Sequence, residues 1–178
     1  RTNDQGVAVT VYINQQKGTA STADLRAESL TETAAQACAI ARFTEADAAS
    51  GLADAHMMAS EIMDFDLWHP HAITAEQAIA LALETEQVGL NQKNISNSDG
   101  ASYSSGLSTA IYANSHGFKG AERSTHYSIS CSLIAGKDNA MQRDYWYSTA
   151  LVLNGLESAQ SVGLKAAERT LARLNPRS

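Results

Sequence analysis

The feature that most constrains the fold is a change of periodicity near residue 90. Before it, apolar residues follow helical spacing in two segments, 27–43 and 75–88. After it, residues 94–149 are rich in Ser, Asn, Gly, Thr and Tyr, and their apolar side chains alternate with polar ones as in a β-strand. A chain that changes period in this way predicts antiparallel strands with packed helices, the α+β class.

The first part of the chain is predicted to hold a hairpin, two helices and an irregular connector. Residues 6–21 predict the hairpin, with its turn over 15–18. Between the helices, residues 46–71 lack a sustained period and predict a connector with one short helical turn. Thr74 and Gln77 match a capping box, which predicts where the second helix begins.

The second part is predicted to be mostly strands. The second helix is expected to stop at Gly89, since glycine favours the position just after a helix. Alternating runs at 107–112, 127–134 and 144–151 then predict three or four antiparallel strands. Residues 159–174 return to helical spacing and predict a closing helix.

The same change of period suggests a division into two parts, and two arrangements remain open. Residues 1–90 would hold the hairpin, helices and connector, and residues 91–178 the strands and closing helix; alternatively, all of them form one continuous domain. The chain has no initiator Met and enters a strand pattern directly, so we expect it to be a portion of a longer protein.

Composition excludes several classes of function. With 44% hydrophobic residues, the 178-residue chain can bury a core. A net charge of −6 argues against a nucleic-acid-binding face, which needs clustered Lys and Arg. No run approaches the roughly 20 apolar residues of a membrane span. The two cysteines, Cys38 and Cys131, lie in unlike contexts and fit reduced, buried thiols of a cytoplasmic protein.

The segment 64–71 most resembles a metal site, because it holds two carboxylates and two imidazoles. His69 and His71 flank Pro70, however, and alternate side chains of an extended segment do not converge on one ion. The spacing therefore favours a connector that Trp68 anchors on the core. No His-Glu-x-x-His pair occurs anywhere in the chain.

Other catalytic patterns find little support. His126 and Cys131 are five apart in a predicted strand, so their side chains point to opposite faces and do not form a thiolate–imidazole pair. The serines between residues 96 and 108 include no Gly-x-Ser-x-Gly elbow. Neither a Gly-x-Gly-x-x-Gly motif nor a Walker loop is present, and nucleotide binding is not predicted.

Four polar clusters in the strand region remain as candidates for an interaction surface. The clusters at 97–100 and 114–118 are expected to be turns, because Asn, Asp and Gly tolerate positive φ. The side chains that we select as a partner or substrate surface are these: Asn114, His116, Arg123 and Arg143.

These clusters, in their order and separation, resemble the PmbA (TldE) branch of the TldD/PmbA metallopeptidase family, also known as modulators of DNA gyrase. The matching segments span nearly the whole chain and are these: 17–25, 66–70, 114–117, 125–128, 141–148 and 169–174. In the family, the first helix often opens with Ser-Pro where this chain has Arg26-Ala27, which weakens the start of the helix but touches no function.

The resemblance implies a non-catalytic subunit or portion of a zinc metallopeptidase. Family members are longer, so this chain would lack their C-terminal β-rich domain. Zinc is expected on a TldD-type partner that carries a His-Glu-x-x-x-His helix, and no cofactor is expected on this chain. Partner contacts would form a heterodimer with that subunit, or a homo-oligomer, and the substrates would be peptides. The resemblance further implies leader-peptide maturation and the turnover of small antitoxins.

Two other hypotheses come from different classes. The chain could instead be a stand-alone peptide- or partner-binding module, whose exposed strand edges pair with extended peptides. Direct action on DNA gyrase or nucleic acid is suggested only by the older family name, and the acidic balance of the chain argues against it.

Overall fold

The computed structural model describes residues 2–175 and divides the chain into two compact units, Arg1–Ser60 and Glu61–Ser178. Each unit combines antiparallel strands with helices, and the predicted α+β class is confirmed. Among the helices of residues 2–175, none combines the length and the hydropathy that a membrane span needs.

The first unit is a β-hairpin with one helix. Strands β1 (Val7–Ile13) and β2 (Gln16–Thr22) pair in register, and helix α1 (Ala27–Phe43) follows them. The predicted bounds of α1 are confirmed, and its first turn has no side-chain cap, in keeping with the weak start expected at Arg26. Asn14 and Gln15 both have positive φ and form a two-residue turn, so the predicted turn over 15–18 is wrong.

The absence of a side chain at Gly18 lets α1 pack closely on the hairpin. A Cβ atom at Gly18 would collide with the backbone of Ala37 and Ala41 on α1. Ala37 and Ala41 are themselves fully buried, so small residues on both sides bring helix and strand together.

The second unit is a three-stranded antiparallel sheet with two helices packed on it. Its elements in chain order are these: α2 (Ala75–Leu90), β3 (Ile95–Ala113), β4 (Lys119–Ala135), β5 (Gln142–Ala150) and α3 (Ala159–Ala172). The strands lie in the order β3-β4-β5.

The helices cover one face of this sheet and leave the other open. Alternate residues of β4 from Thr125 to Ala135 are buried on the covered face. There, Leu133 and its neighbours pack against Val162 and Ala166 of α3. The alternation that predicted this strand therefore separates the core side from the exposed side.

Several predicted features of the connector and the second unit are confirmed, and the end of the closing helix differs by two residues. Thr74 and Gln77 form both bonds of the capping box, and Asn114–Gly117 form a tight turn between β3 and β4. The connector has one 3₁₀ turn at Ala55–Met57, which belongs to the first unit. Helix α3 ends at Ala172, two residues earlier than expected.

Two predictions in this unit are wrong. Gly89 does not end α2 but lies inside it, where a Cβ atom would come 2.5 Å from a methyl carbon of Leu133. Residues 97–100 do not form a turn; they belong to β3, whose register shifts twice between Ile95 and Gly100. Gly100, with φ of 111°, supplies the backbone freedom for an irregular strand instead of a reversal.

The compact units divide after Ser60, whereas the change of period had suggested a division after residue 90. The reason is the packing of α2, which sits with the sheet and with α3. A Cβ atom at Gly163 of α3 would come 2.5 Å from the carbonyl oxygen of Thr85 on α2. A contact this close makes α2 part of the same core as the strands.

Candidate functional surface

The connector that precedes α2 is fastened to β4 by two buried hydroxyl groups. The Thr125 side chain accepts a hydrogen bond from the His69 N–H at 3.2 Å. The Tyr127 hydroxyl accepts from the His71 N–H at 2.7 Å and donates to the His69 carbonyl at 2.8 Å. The Thr125 N–H donates to the Leu67 carbonyl at 2.9 Å, so the connector covers the edge of β4 beyond the end of β5.

The Trp68 ring of this connector contacts an arginine side chain of β4. The Arg123 guanidinium lies 3.7 Å from the centre of the Trp68 ring, a cation–π contact. Trp68 therefore contacts β4 through one of the selected surface residues, the exposed Arg123, and its predicted anchoring on the core stays a prediction. A shallow hollow of about 270 Å³ lies beside it, with a lining made by 69–71 and 152–154.

The carboxylates and imidazoles of 64–71 do not meet around a common point. The His69 Nε2 atom lies 2.7 Å from the Asp66 carbonyl oxygen and 3.6 Å from its carboxylate. Asp64 instead accepts the backbone N–H of Asp66 at 2.9 Å. Within residues 2–175, no three His, Cys, Asp or Glu side chains are grouped as metal ligands.

Cys131 is a core residue. It is 1% exposed, and burial raises the pKa of its thiol to about 11. His126 is exposed, on the other face of β4, and the predicted separation of the two side chains is confirmed. Both cysteines are free thiols.

The hairpin of β3 and β4 extends beyond the rest of the sheet. β5 pairs with β4 only from Tyr127 to Ala135, whereas β3 pairs along the whole of β4. The protruding part, residues 106–126, is called the hairpin arm below. The Asn114 carboxamide oxygen accepts the N–H groups of His116 and Phe118 at its tip, so Asn114 shapes the loop and His116 is exposed there.

The open face of the sheet carries hydroxyl and aromatic side chains. Tyr145 and Tyr147 are 56% and 52% exposed and stack with their centroids 6.1 Å apart. Serine pairs bridge β3 and β4 on this face, as at Ser102 and Ser130, 2.9 Å apart. Arg143 reaches across the sheet to the Asp99 carboxylate at 2.9 Å.

The four residues selected from the sequence therefore do not form one site. Asn114 and His116 lie at the tip of the hairpin arm, and Arg143 pairs opposite Ile134 near the far end of β4. Arg123 lies against Trp68, at the edge where the connector runs. The tyrosine pair on the open face was missed, although the alternation of residues 143–149 placed these side chains on one face.

Comparison with known proteins gives a consistent result over the whole chain. The profile of the PmbA/TldA metallopeptidase central domain matches residues 68–174, and that of PmbA/TldA metallopeptidase domain 1 matches residues 1–41. The chain is 40% identical to the metalloprotease PmbA homolog of Haemophilus influenzae and 37% identical to metalloprotease PmbA of Escherichia coli O157:H7. Each alignment covers 98% of this chain and 39% of the relative.

A solved structure shares the fold. A candidate modulator of DNA gyrase from Bacteroides thetaiotaomicron superposes with a TM-score of 0.82 at 26% identity, over 97% of this chain and 40% of that protein. The chain thus spans about two fifths of the length of these relatives. The profiles, the curated relatives and the fold agree with the motifs found in the sequence, and the chain belongs to the PmbA/TldD metallopeptidase family, where its relatives are PmbA proteins.

Proposed function

We propose that this chain is a non-catalytic portion of a PmbA-type subunit in a zinc metallopeptidase that processes or degrades peptides. The observation that carries the proposal is the match of residues 68–174 to the central domain of a metallopeptidase family, together with 40% identity to a metalloprotease PmbA homolog.

The geometry of the ligand-type residues supports a scaffold role. The segment richest in imidazoles is held to β4 by Thr125 and Tyr127, and His69 contacts the Asp66 backbone. Cys131 is buried, with a raised thiol pKa. These described residues do not fit a zinc site, so no catalytic step is assigned to them, and zinc would be held by a TldD-type partner.

Assembly and location follow from the same proposal. The chain would act in the cytoplasm, which its two free cysteines support. It would join a TldD-type subunit in a heterodimer, or further copies in a homo-oligomer. Contacts with the partner or the substrate would come from the exposed surfaces that carry Asn114, His116, Arg123 and Arg143. Leader-bearing peptides and small antitoxins are the substrates that the family suggests.

A second candidate is a stand-alone binding module without peptidase activity. The observation that favours it is the open face of the sheet with its half-exposed tyrosine pair. Tyrosine is a common anchor of protein interfaces, because its ring adds contact area at little entropic cost. Such a module would hold peptides or a partner without needing a second subunit.

Partner dependence separates these two functions. The stretch of E. coli PmbA that this chain matches would be replaced by the chain, and the chimera produced with and without a TldD-type subunit. We expect the two subunits to copurify and to cleave an unfolded reporter peptide only together. Affinity of the solitary chain for the peptide, with no copurification and no cleavage by the pair, would favour the binding module instead.

A further inference from the structure

The outer edge of β3 is long and lacks the usual protection of an edge strand. β3 lies at the end of the sheet and runs from Ile95 to Ala113. Soluble proteins normally guard such edges with charges, proline or bulges, because unpaired backbone groups recruit another strand. Here the bulges lie before Gly100, and residues 100–113 include neither a charged residue nor a proline.

The backbone hydrogen bonds show which groups of β3 point outward. The Asn114 N–H donates to the Phe118 carbonyl, so even-numbered residues of β3 bond to β4. The Thr125 N–H points away from β3 to the Leu67 carbonyl, and Thr125 pairs with Leu107. Odd-numbered residues of β3 therefore direct their N–H and C=O groups out of the sheet.

Exposed apolar side chains lie on the helix-covered side of the same edge. Leu107 is 62% exposed and Ile111 is 78% exposed, although both lie on the same face as the buried residues of β4, since Leu107 pairs with Thr125. Helix α2 packs on this side and leaves Ile79 and Leu83, one turn apart, 58% and 59% exposed. The edge thus combines free backbone groups with uncovered apolar surface.

From this combination we infer that β3 pairs antiparallel with β3 of a second copy of this chain, about a twofold axis at Gly106. The inference does not depend on the proposed peptidase function. Two-fold pairing of identical edges joins the two sheets into one continuous sheet of six strands.

The register about Gly106 places large side chains opposite small ones on both faces. On the helix-covered side, Ile111 lies opposite Ala101 and Leu107 lies opposite Ser105 of the second copy. On the open side, Tyr112 lies opposite Gly100. The odd-numbered residues, whose N–H and C=O groups point outward, then lie opposite odd-numbered residues of the second copy, as an antiparallel ladder requires. No charged residue faces another, because Asp99 lies opposite Ala113.

Gly106 itself provides a direct test of this register. It would lie opposite its own copy in a non-hydrogen-bonded pair, with Cα atoms about 4.5 Å apart, which a disulfide can span. A Cβ atom there meets no atom within 4 Å, so cysteine fits without disturbing the chain.

Cysteine variants would be made in a Cys38→Ser background and oxidised mildly. We expect Gly106→Cys alone to form a covalent dimer. Ser104→Cys and Ser108→Cys should each stay uncoupled alone but couple when the two variants are mixed, because residues 104 and 108 lie opposite each other in this register. The inference would be overturned if Gly106→Cys formed no covalent dimer. It would also be overturned if Ser104→Cys and Ser108→Cys each formed disulfide-linked dimers alone as readily as in the mixture.

Solution mass gives an independent readout. Light scattering should give twice the 18.9 kDa chain mass. Leu107→Lys puts a charge on the edge and should weaken dimerisation at least tenfold, whereas Tyr147→Lys, at similar exposure on β5, should not. A monomer at all concentrations, or equal weakening by both variants, would refute the pairing.

Discussion

Replacing Tyr127 with Phe removes one oxygen atom from the anchor between the connector and β4. The residue is 1% exposed, and its hydroxyl bonds the His69 carbonyl at 2.8 Å and the His71 N–H at 2.7 Å. Phenylalanine keeps the aromatic ring, so the core retains its packing. The change therefore isolates the two hydrogen bonds that hold the connector.

The expected loss of stability is about 2 kcal/mol. A hydrogen bond contributes a net ~0.5–1.5 kcal/mol, so two contribute roughly 1–3 kcal/mol. His71 is exposed, and water can reach its N–H group once the hydroxyl is gone, which keeps the loss below the upper end. Tyr147→Phe is the matched control, because that ring is 52% exposed and its loss of one oxygen should cost almost nothing.

Urea unfolding followed by tryptophan fluorescence measures this difference. Trp68 and Trp146 are the chain's two tryptophans and both lie in the unit Glu61–Ser178, so the signal reports on the unit that contains Tyr127. With an m-value of about 2 kcal/mol per M, the midpoint should fall by about 1 M. A shift of Tyr127→Phe below about 0.25 M, or one equal to that of the control, would refute this account of the anchor.

Three further predictions concern the packing and charge of the chain. Gly18→Ala should lower the free energy of unfolding by about 1–3 kcal/mol, because a Cβ atom collides with α1, whereas Gly51→Ala, in open space, should leave it unchanged. Thermal or urea unfolding followed by circular dichroism measures both variants, and equal effects would contradict the packing. In native protein, a thiol reagent at pH 8 should label the half-buried Cys38 and spare Cys131, whose thiol pKa is about 11; fast labelling of both would show that the core opens. The pKa of Asp144 is lowered by the backbone N–H that follows it, by Arg169 of α3 and by Arg173 directly after that helix, so the stabilising effect of Asp144 is complete above a pH of about 4 and disappears as the pH falls further. Asp144→Asn should therefore lower the free energy of unfolding at pH 7, and the variant should lose less stability than the unmodified chain between pH 7 and pH 3 in urea unfolding. The same dependence of stability on pH in both proteins would contradict this role.

The local signals in the sequence predicted the helices well. The bounds of α1 and the capping box at Thr74 are set by neighbouring residues, and both are confirmed. Gly89 was interpreted as a helix stop because glycine usually ends helices, but here tertiary packing against Leu133 requires a small residue inside α2. Local propensity cannot reveal a contact made by a distant strand.

The strands and the surface were harder to predict for a related reason. The first half of β3 is made of turn-forming residues, and only pairing with β4 makes it a bulged strand. The sequence also grouped Asn114, His116, Arg123 and Arg143 by their chemistry, whereas the length of β4 and the two faces of the sheet separate them. Side-chain alternation fixes the face of each residue, but it does not tell which part of a strand protrudes beyond its neighbours.

The zinc content of the purified chain and of its complex with a TldD-type subunit tests the central claim most directly. The proposal predicts less than a tenth of a zinc ion per chain for this protein alone after dialysis, and one zinc ion per TldD-type subunit in a complex that cleaves peptides. One tightly held zinc ion per chain in this protein alone, together with peptide cleavage, would contradict the account.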